Sequence, residues 1–237
     1  MSDPVIGQTP TSVAPPNVAA WEDVLDIFYA PRQVFERRRD GKYLVPILVL
    51  CITSMVIFVL SQQLNEALQD AEFARVIKQN AMPAEAAANA KAMGRKFASL
   101  AIYLIPVFVA IGAWVSGLII MLLGNAMGGK MTYAQATTIA VFGSMPELLG
   151  RTLVGVQGMF LDTATVVHRY SFSTSAARFL GGDVSNWALK FASLCDPFVI
   201  WGLFLVGFGA WIIGRMEKEK AAVLAVVVAI VGAALFR

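Results

Sequence analysis

Charge is scarce in this 237-residue chain: 19 Lys and Arg and 16 Asp and Glu make up 15% of it, against roughly 25% in soluble domains. Hydrophobic residues make up 57%. A water-soluble globule this apolar would expose aggregating patches, so lipid is the solvent for most of the chain. Histidine occurs once, at position 168, and there is no GxSxG, no HExxH and no glycine-rich phosphate loop. These absences speak against an enzyme and against any metal or cofactor, and His168, alone in a polar loop, reads as a surface residue. The two cysteines, Cys51 and Cys195, fall in or beside apolar stretches. They read as small hydrophobes without disulfide or metal signal. The net charge of +3 is scattered and forms no basic stripe for nucleic acid. Residues 1–20 lack the basic and apolar regions of a signal peptide and read as a disordered tail ahead of a membrane domain over 21–237.

What is present is a series of apolar runs. Residues 43–60 and 97–123 are each long enough to cross a bilayer. Residues 133–160 are more polar but suit a helix facing the inside of a bundle, 191–214 are broken only by Asp196, and 221–236 form a fifth run. Sixteen residues rise about 24 Å as a helix, so Lys220 and Arg237 would snorkel at its ends. The runs are continuous rather than alternating, which excludes a barrel. The expected fold is all-α, a bundle of five membrane helices. Pro46, Pro106, Pro146 and Pro197 are expected to mark kinks or helix starts.

Ahead of the first run, Trp21, Val24, Leu25 and Phe28 repeat at helical spacing, Pro31 restarts a turn carrying Val34 and Phe35, and Arg37, Arg38 and Arg39 come next. Such a stripe fits an amphipathic helix lying against anionic lipid, or equally a helix packed on the bundle's end. Residues 62–96, Ala-rich and interrupted at Pro83, read as a solvated helical hairpin or helix extension. Nine basic residues fall on each side of the membrane, but five of them immediately precede the first run and three lie in the short turn before the last. That asymmetry places the N-terminus in the cytoplasm and the C-terminus outside.

Three ionisable residues inside the runs, Glu147, Arg151 and Asp196, are the candidate intramembrane polar site, because a charge at bilayer depth costs several kcal/mol unless paired or hydrated. Glu147 and Arg151 share a helical face in the order that favours pairing. With Pro146, Gly143 and Gly150 beside them they form the kind of broken polar helix that transporters and proton pathways use. A neutralised structural pair, or an Arg151 reaching water at the outer interface, fits the same spacing. Asp196 before Pro197 has the form of a helix N-cap. Packing signals are plentiful: Ala221, Ala225, Ala229 and Ala233 make a small face in the fifth run, Gly124 and Gly128 a GxxxG, and Gly202, Gly207, Gly209 and Gly214 crowd the fourth.

Together, F-x-x-P-x-x-V-F over Phe28, Pro31, Val34 and Phe35, the stretch Gly128-Gly129-Lys130-Met131-Thr132-Tyr133-Ala134-Gln135, Pro146, and Asp196-Pro197-Phe198 with Trp201 and Gly207 beyond it resemble the Yip1 domain family, its bacterial members above all. The resemblance covers about residues 20–236 and implies five membrane helices with a cytoplasmic N-terminus, in a bacterial cytoplasmic membrane. Eukaryotic members bind prenylated Rab GTPases through N-terminal regions longer than the 42 residues here, which argues against that partner. The leading expectation is a non-enzymatic scaffold or adaptor whose partners are the lipid bilayer and either other membrane proteins or a second copy of itself. A small-solute or proton-coupled transporter built on Glu147 and Arg151 is the alternative. A cavity reaching Glu147 would favour the transporter, and a solid core the scaffold.

Overall fold

The computed structural model describes residues 19–160 and 166–236. Most of the expected disordered tail lies outside the described residues. Among them every regular element is helical and no strand occurs. Two short helices, α1 (Glu22–Asp26) and α2 (Pro31–Arg37), precede α3 (Leu44–Leu60), which turns by 78° into α4 (Gln62–Gln79). A turn at 80–83 leads into α5 (Ala84–Ala126), continuous through Pro106. Helices α6 (Tyr133–Gly143) and α7 (Met145–Phe160) come next, then α8 (Asn186–Ala192), which meets α9 (Pro197–Ile212) at 66°, and finally α10 (Lys218–Phe236).

Among the described residues two stretches are long and apolar enough to cross a membrane, Tyr103–Ala126 and Tyr133–Phe160, and the number rises to four if each bent pair is one span. The core between them is apolar: Phe35, Ile120, Ile139, Phe142, Met145, Leu205 and Leu224 are almost fully buried. Leu48, Ile52, Val56, Phe108 and Leu122 face outward. Apolar residues thus face outward as well as inward, as a lipid solvent allows.

Local chemistry explains the glycine-rich stretch before α6. Gly128 has φ +95°, a conformation that favours glycine, and it ends α5. The Gly129 N–H then donates to the carbonyl of Gly124 (2.8 Å), and the Lys130 N–H to that of Gly214 (3.1 Å), tying this turn to the end of α9. The side chain of Asn125 brackets the Met131 peptide with two hydrogen bonds of 2.9 and 2.8 Å. Thr132 and Gln135 form a reciprocal capping box at the start of α6, and the Gln135 amide also donates to the carbonyl of Arg39 (2.7 Å). Gly124 and Gly128 are therefore not a helix-packing GxxxG. Gly128 lies beyond the helix, and a Cβ on Gly124 would run into Met131 of the same turn and lie 3.2 Å from Leu224 Cδ2 of α10.

The N-terminal helices pack on the bundle, the second of the two readings the sequence left open. Ile27, Val34 and Phe35 are fully buried. Phe35 meets Phe142 edge-on at 6.0 Å, and Phe28 meets Trp201 at 5.4 Å. Nor are Arg37 and Arg38 available to lipid as the sequence suggested. Arg37 Nε donates to buried Asp23 at 2.8 Å, its Nη2 pairs with Asp26, and Arg38 pairs with Asp23 as well. Burial disfavours the Arg37 charge, yet hydrogen bonds to Asp23 and Asp26 outweigh it and hold its pKa above the ordinary value. Arg39 alone of the three stays exposed.

The first half of the small face of α10 packs on α9 within the chain. Ala221, Ala225 and Ala233 are buried, and a Cβ on Gly207 of α9 would lie 3.2 Å from the Ala221 carbonyl and 3.4 Å from the Ala225 Cβ. Ala229 is half-buried and faces a cavity.

Candidate functional site

The candidate site lies where α7 passes between α3 and α9. Pro146 is the second residue of α7, so its missing N–H falls in a first turn where no intrahelical partner is needed. The helix is interrupted at Ser144, whose hydroxyl donates back to the Ala140 carbonyl (2.9 Å), and continues as α7 from Met145, with Glu147 one turn before Arg151. Pro106, inside α5, exposes its carbonyl to α3, and buried Cys51 Sγ donates to it at 3.4 Å. Pro46 is buried in the first turn of α3.

Asp196 serves as the N-cap of α9. Its Oδ1 accepts from the N–H groups of Phe198 (2.8 Å) and Val199 (3.3 Å), Pro197 occupies the first helical position, and Thr174 donates to the other oxygen. The carboxylate thus closes the segment before α9 onto the top of that helix.

Glu147 and Arg151 approach to 3.8 Å, with the Arg151 side chain 59% and the Glu147 side chain 38% exposed. The pair is not sealed inside the bundle. It sits between two cavities, one of about 390 Å³ reaching Ser61, Asn65, Thr174 and Asp196, the other of about 500 Å³ reaching Leu50, Ile120, Val228 and Ala229. Ser54, Ile105, Glu147, Arg151 and Val199 line both. A cleft of mixed lining, with Ser116 and Ser144 in its inner part and Asn65 and Thr174 in its outer part, therefore passes the ion pair.

Exposure changes the expected energetics of the pair. A sealed pair loses roughly 3–5 kcal/mol when one partner is removed, whereas a pair open to water through the cleft contributes about 0.2–1 kcal/mol. Glu147→Gln and Arg151→Gln should each lower the melting temperature in detergent only slightly. Their coupling in the double variant should stay below about 1 kcal/mol. A larger coupling would mean that the pair closes in the membrane.

Two buried polar residues away from the cavity lining, Arg75 and His168, fasten the neighbouring segments. Arg75 is buried on α4, hydrogen-bonded to Glu72 (2.7 Å), to Asn186 and to the Val184 carbonyl (3.3 Å). It fastens α4 to the segment before α8. His168 is fully buried, contrary to its expected place on the surface. Its Nε2 lies 2.8 Å from the Leu180 carbonyl and its Nδ1 accepts from the Tyr170 N–H at 3.1 Å, which selects the neutral Nε2–H form. A loop histidine whose two ring nitrogens satisfy two backbone groups is a staple of the loop, and composition carries no sign of it.

A family model described as the Yip1 domain matches residues 25–236. No curated protein and no solved structure matches the chain. The matched range begins in α1 and takes in the Phe28–Trp201 contact, the capped start of α6, the broken α6–α7 pair and the Asp196-capped α9. This chain belongs to the Yip1 domain family.

Proposed function

We propose that the chain is a non-enzymatic membrane protein that handles a ligand, in the manner of a transporter, in the cleft at Glu147 and Arg151. The observation that carries this reading is that two cavities meet at that pair. A scaffold working through its small-residue faces would keep them open for another chain, and here α9 covers Ala221 and Ala225. The topology that goes with the proposal has five spans in a bacterial cytoplasmic membrane. α10 is the fifth span, about 28 Å long at the helical rise. In that topology α1, α2 and the turns before α6 and α10 face the cytoplasm, and α4 and α8 face the far side.

An adaptor role is the second reading, and one feature favours it. Trp21, Leu25 and Tyr29 stand four residues apart at 57, 56 and 75% exposure, in and beside α1, which the Arg37 network ties to α2. Such a stripe can meet headgroups or another membrane protein.

Thiol accessibility separates the readings. In a background without Cys51 and Cys195, Ser54→Cys places a thiol where both cavities meet. It should react with a small charged methanethiosulfonate added from the side on which Asn80→Cys reacts, and Asp40→Cys should be protected from that side. An unreactive Ser54→Cys would leave a closed bundle and favour the adaptor; labelling of Asp40→Cys from the same side as Asn80→Cys would overturn the topology.

A further inference from the structure

We infer that the segment from the short 3₁₀ turn Ala176–Phe179 to α8 is a platform that lies in the headgroup region of the far leaflet and binds the phosphates of anionic lipid. The inference uses the five-span arrangement proposed above and is independent of what the cleft takes. Position is the first argument. Helix α9 has 16 residues, about 24 Å at the helical rise, against a hydrocarbon core of about 30 Å. With exposed Arg215 just past its end at one interface, the segment ahead of Asp196 comes to the other. Leu194, in that segment, lines a cavity with Gly232 and Ala233, late in α10, so α8 sits at the end of α10 away from Lys218. It turns from α9 by 66° and so runs nearer to the membrane plane than to its normal.

Surface chemistry is the second argument. Leu189 is buried and the Asn186 side chain accepts from Arg75, which pins one face of α8 to the protein. Trp187 and Phe191, four residues apart, are both exposed and stack on each other at 6.2 Å. Phe179, on the 3₁₀ turn that packs against α8, is exposed as well. Such rings gather where bilayer meets water, because the headgroup layer accepts an apolar body with a wet edge. The apolar surface continues along α9 with exposed Ile200 and Phe204, which meet the acyl chains when α9 is a span.

Charge selects the headgroup. Residues 166–192 carry Arg169, Arg178 and Lys190 against one carboxylate, Asp183, and Asp183 pairs with Lys78 of α4 at 3.1 Å. Lys190 Nζ lies 5.1 Å from the ring centroid of Trp187, and Arg178 Cζ lies 5.9 Å from that of Phe179. A cation whose stem runs along an exposed ring keeps its head among phosphates while the ring enters the acyl boundary. The platform also borders the outer cavity, which is lined by Thr174 and Ser175 just before it and by Ser193 and Asp196 just after it. The Ala176 N–H joins those two edges at the Cys195 carbonyl (3.1 Å), so lipid held here steadies that wall of the cleft.

The test is photocrosslinking of the full-length protein in vesicles of equal parts dioleoyl phosphatidylglycerol and dioleoyl phosphatidylcholine. The photoreactive residue p-benzoylphenylalanine in place of Phe191 should attach to lipid, as should the same probe at Phe204, while at Asn80 it should take none. One cation is worth about 1 kcal/mol at an anionic surface, so the Phe191 probe should take phosphatidylglycerol about fivefold over phosphatidylcholine, and the Phe204 probe both equally. Arg178→Gln combined with Lys190→Gln should abolish the preference. High salt should abolish it with both cations in place, which keeps the test free of how the double variant folds. Attachment of the Phe191 probe to a second copy of the chain, no attachment to lipid, or equal capture of the two lipids would each overturn the inference. If the Phe204 probe captures lipid in that event, α9 stands as a span and the platform falls alone; if it does not, the five-span arrangement falls as well.

Discussion

Replacing Gly202 with leucine is expected to prevent the bundle from assembling, and replacing it with alanine to cost about 1–3 kcal/mol or more. Helix α9 crosses the end of α6 at this residue. A Cβ on Gly202 would lie 2.5 Å from the carbonyl oxygen of Gly143, and a Cβ on Gly143 would lie 2.6 Å from Val206 Cγ2. The obstacle to Gly202 is backbone, which cannot rotate out of the way as a side chain can. The two helices would have to separate and give up the packing of Ile139, Phe142 and Leu205, all fully buried. Gly112 supplies the control. It lies in α5 with nothing within 4 Å of its ideal Cβ, so alanine there removes a helix-propensity penalty of roughly 0.5–1 kcal/mol and should be neutral or stabilising. Melting of the purified variants in mild detergent reads both. Equal stability for Gly202→Ala and Gly112→Ala would mean that α6 and α9 do not cross here.

The second large effect is expected at Asp23, whose side chain is 1% exposed and takes both Arg37 and Arg38. Asp23→Ala leaves two partly buried guanidinium groups short of a carboxylate, and losing one member of a buried pair costs about 3–5 kcal/mol. Asp26 still reaches Arg37, so the loss should fall on the docking of α1 and on Arg38 first. The expected readout is rapid tryptic cleavage between Arg37 and Arg39 in detergent, where the parent is protected, together with a lowered melting temperature. Glu36→Gln is the comparison, because the Arg32–Glu36 pair is exposed on both sides and such pairs contribute less than about 1 kcal/mol. If Asp23→Ala resists trypsin as well as Glu36→Gln does, the network does not hold α1 and α2 on the bundle, and the Trp21, Leu25, Tyr29 stripe loses its rigid base.

Much of the site's local form was legible in the chain. Asp196 before Pro197 can cap only the helix that Pro197 opens, because the carboxylate reaches amides two and three residues on. Glu147 and Arg151 share a face because four residues are about one helical turn. The start of α6 was visible as a landmark, and the reciprocal Thr132–Gln135 bonds give that landmark its physical content. What could not be read was the environment of each group. Nothing within a turn of Arg37 and Arg38 announces that Asp23, 14 and 15 residues earlier, will neutralise them. Nothing beside His168 announces the Leu180 carbonyl, 12 residues on. Arg75 is further removed still, since its partners at Val184 and Asn186 lie 109 and 111 residues away.

The sequence by itself determined the solvent, the helical class and the approximate position of each apolar run, because hydrophobicity, proline and capping act through a residue and its neighbours within a turn or two. Only the tertiary structure decided what those helices do with their faces. It set Ala221 and Ala225 of α10 against Gly207, placed Ala229 and Ala233 at a cavity, turned Gly124 into a seat for Met131, and left Glu147 and Arg151 between two cavities. The reason is geometric. A small or charged face is a local property, but whether it meets another helix, a bound molecule or open space depends on segments far apart in the chain, and that choice is made only when they pack.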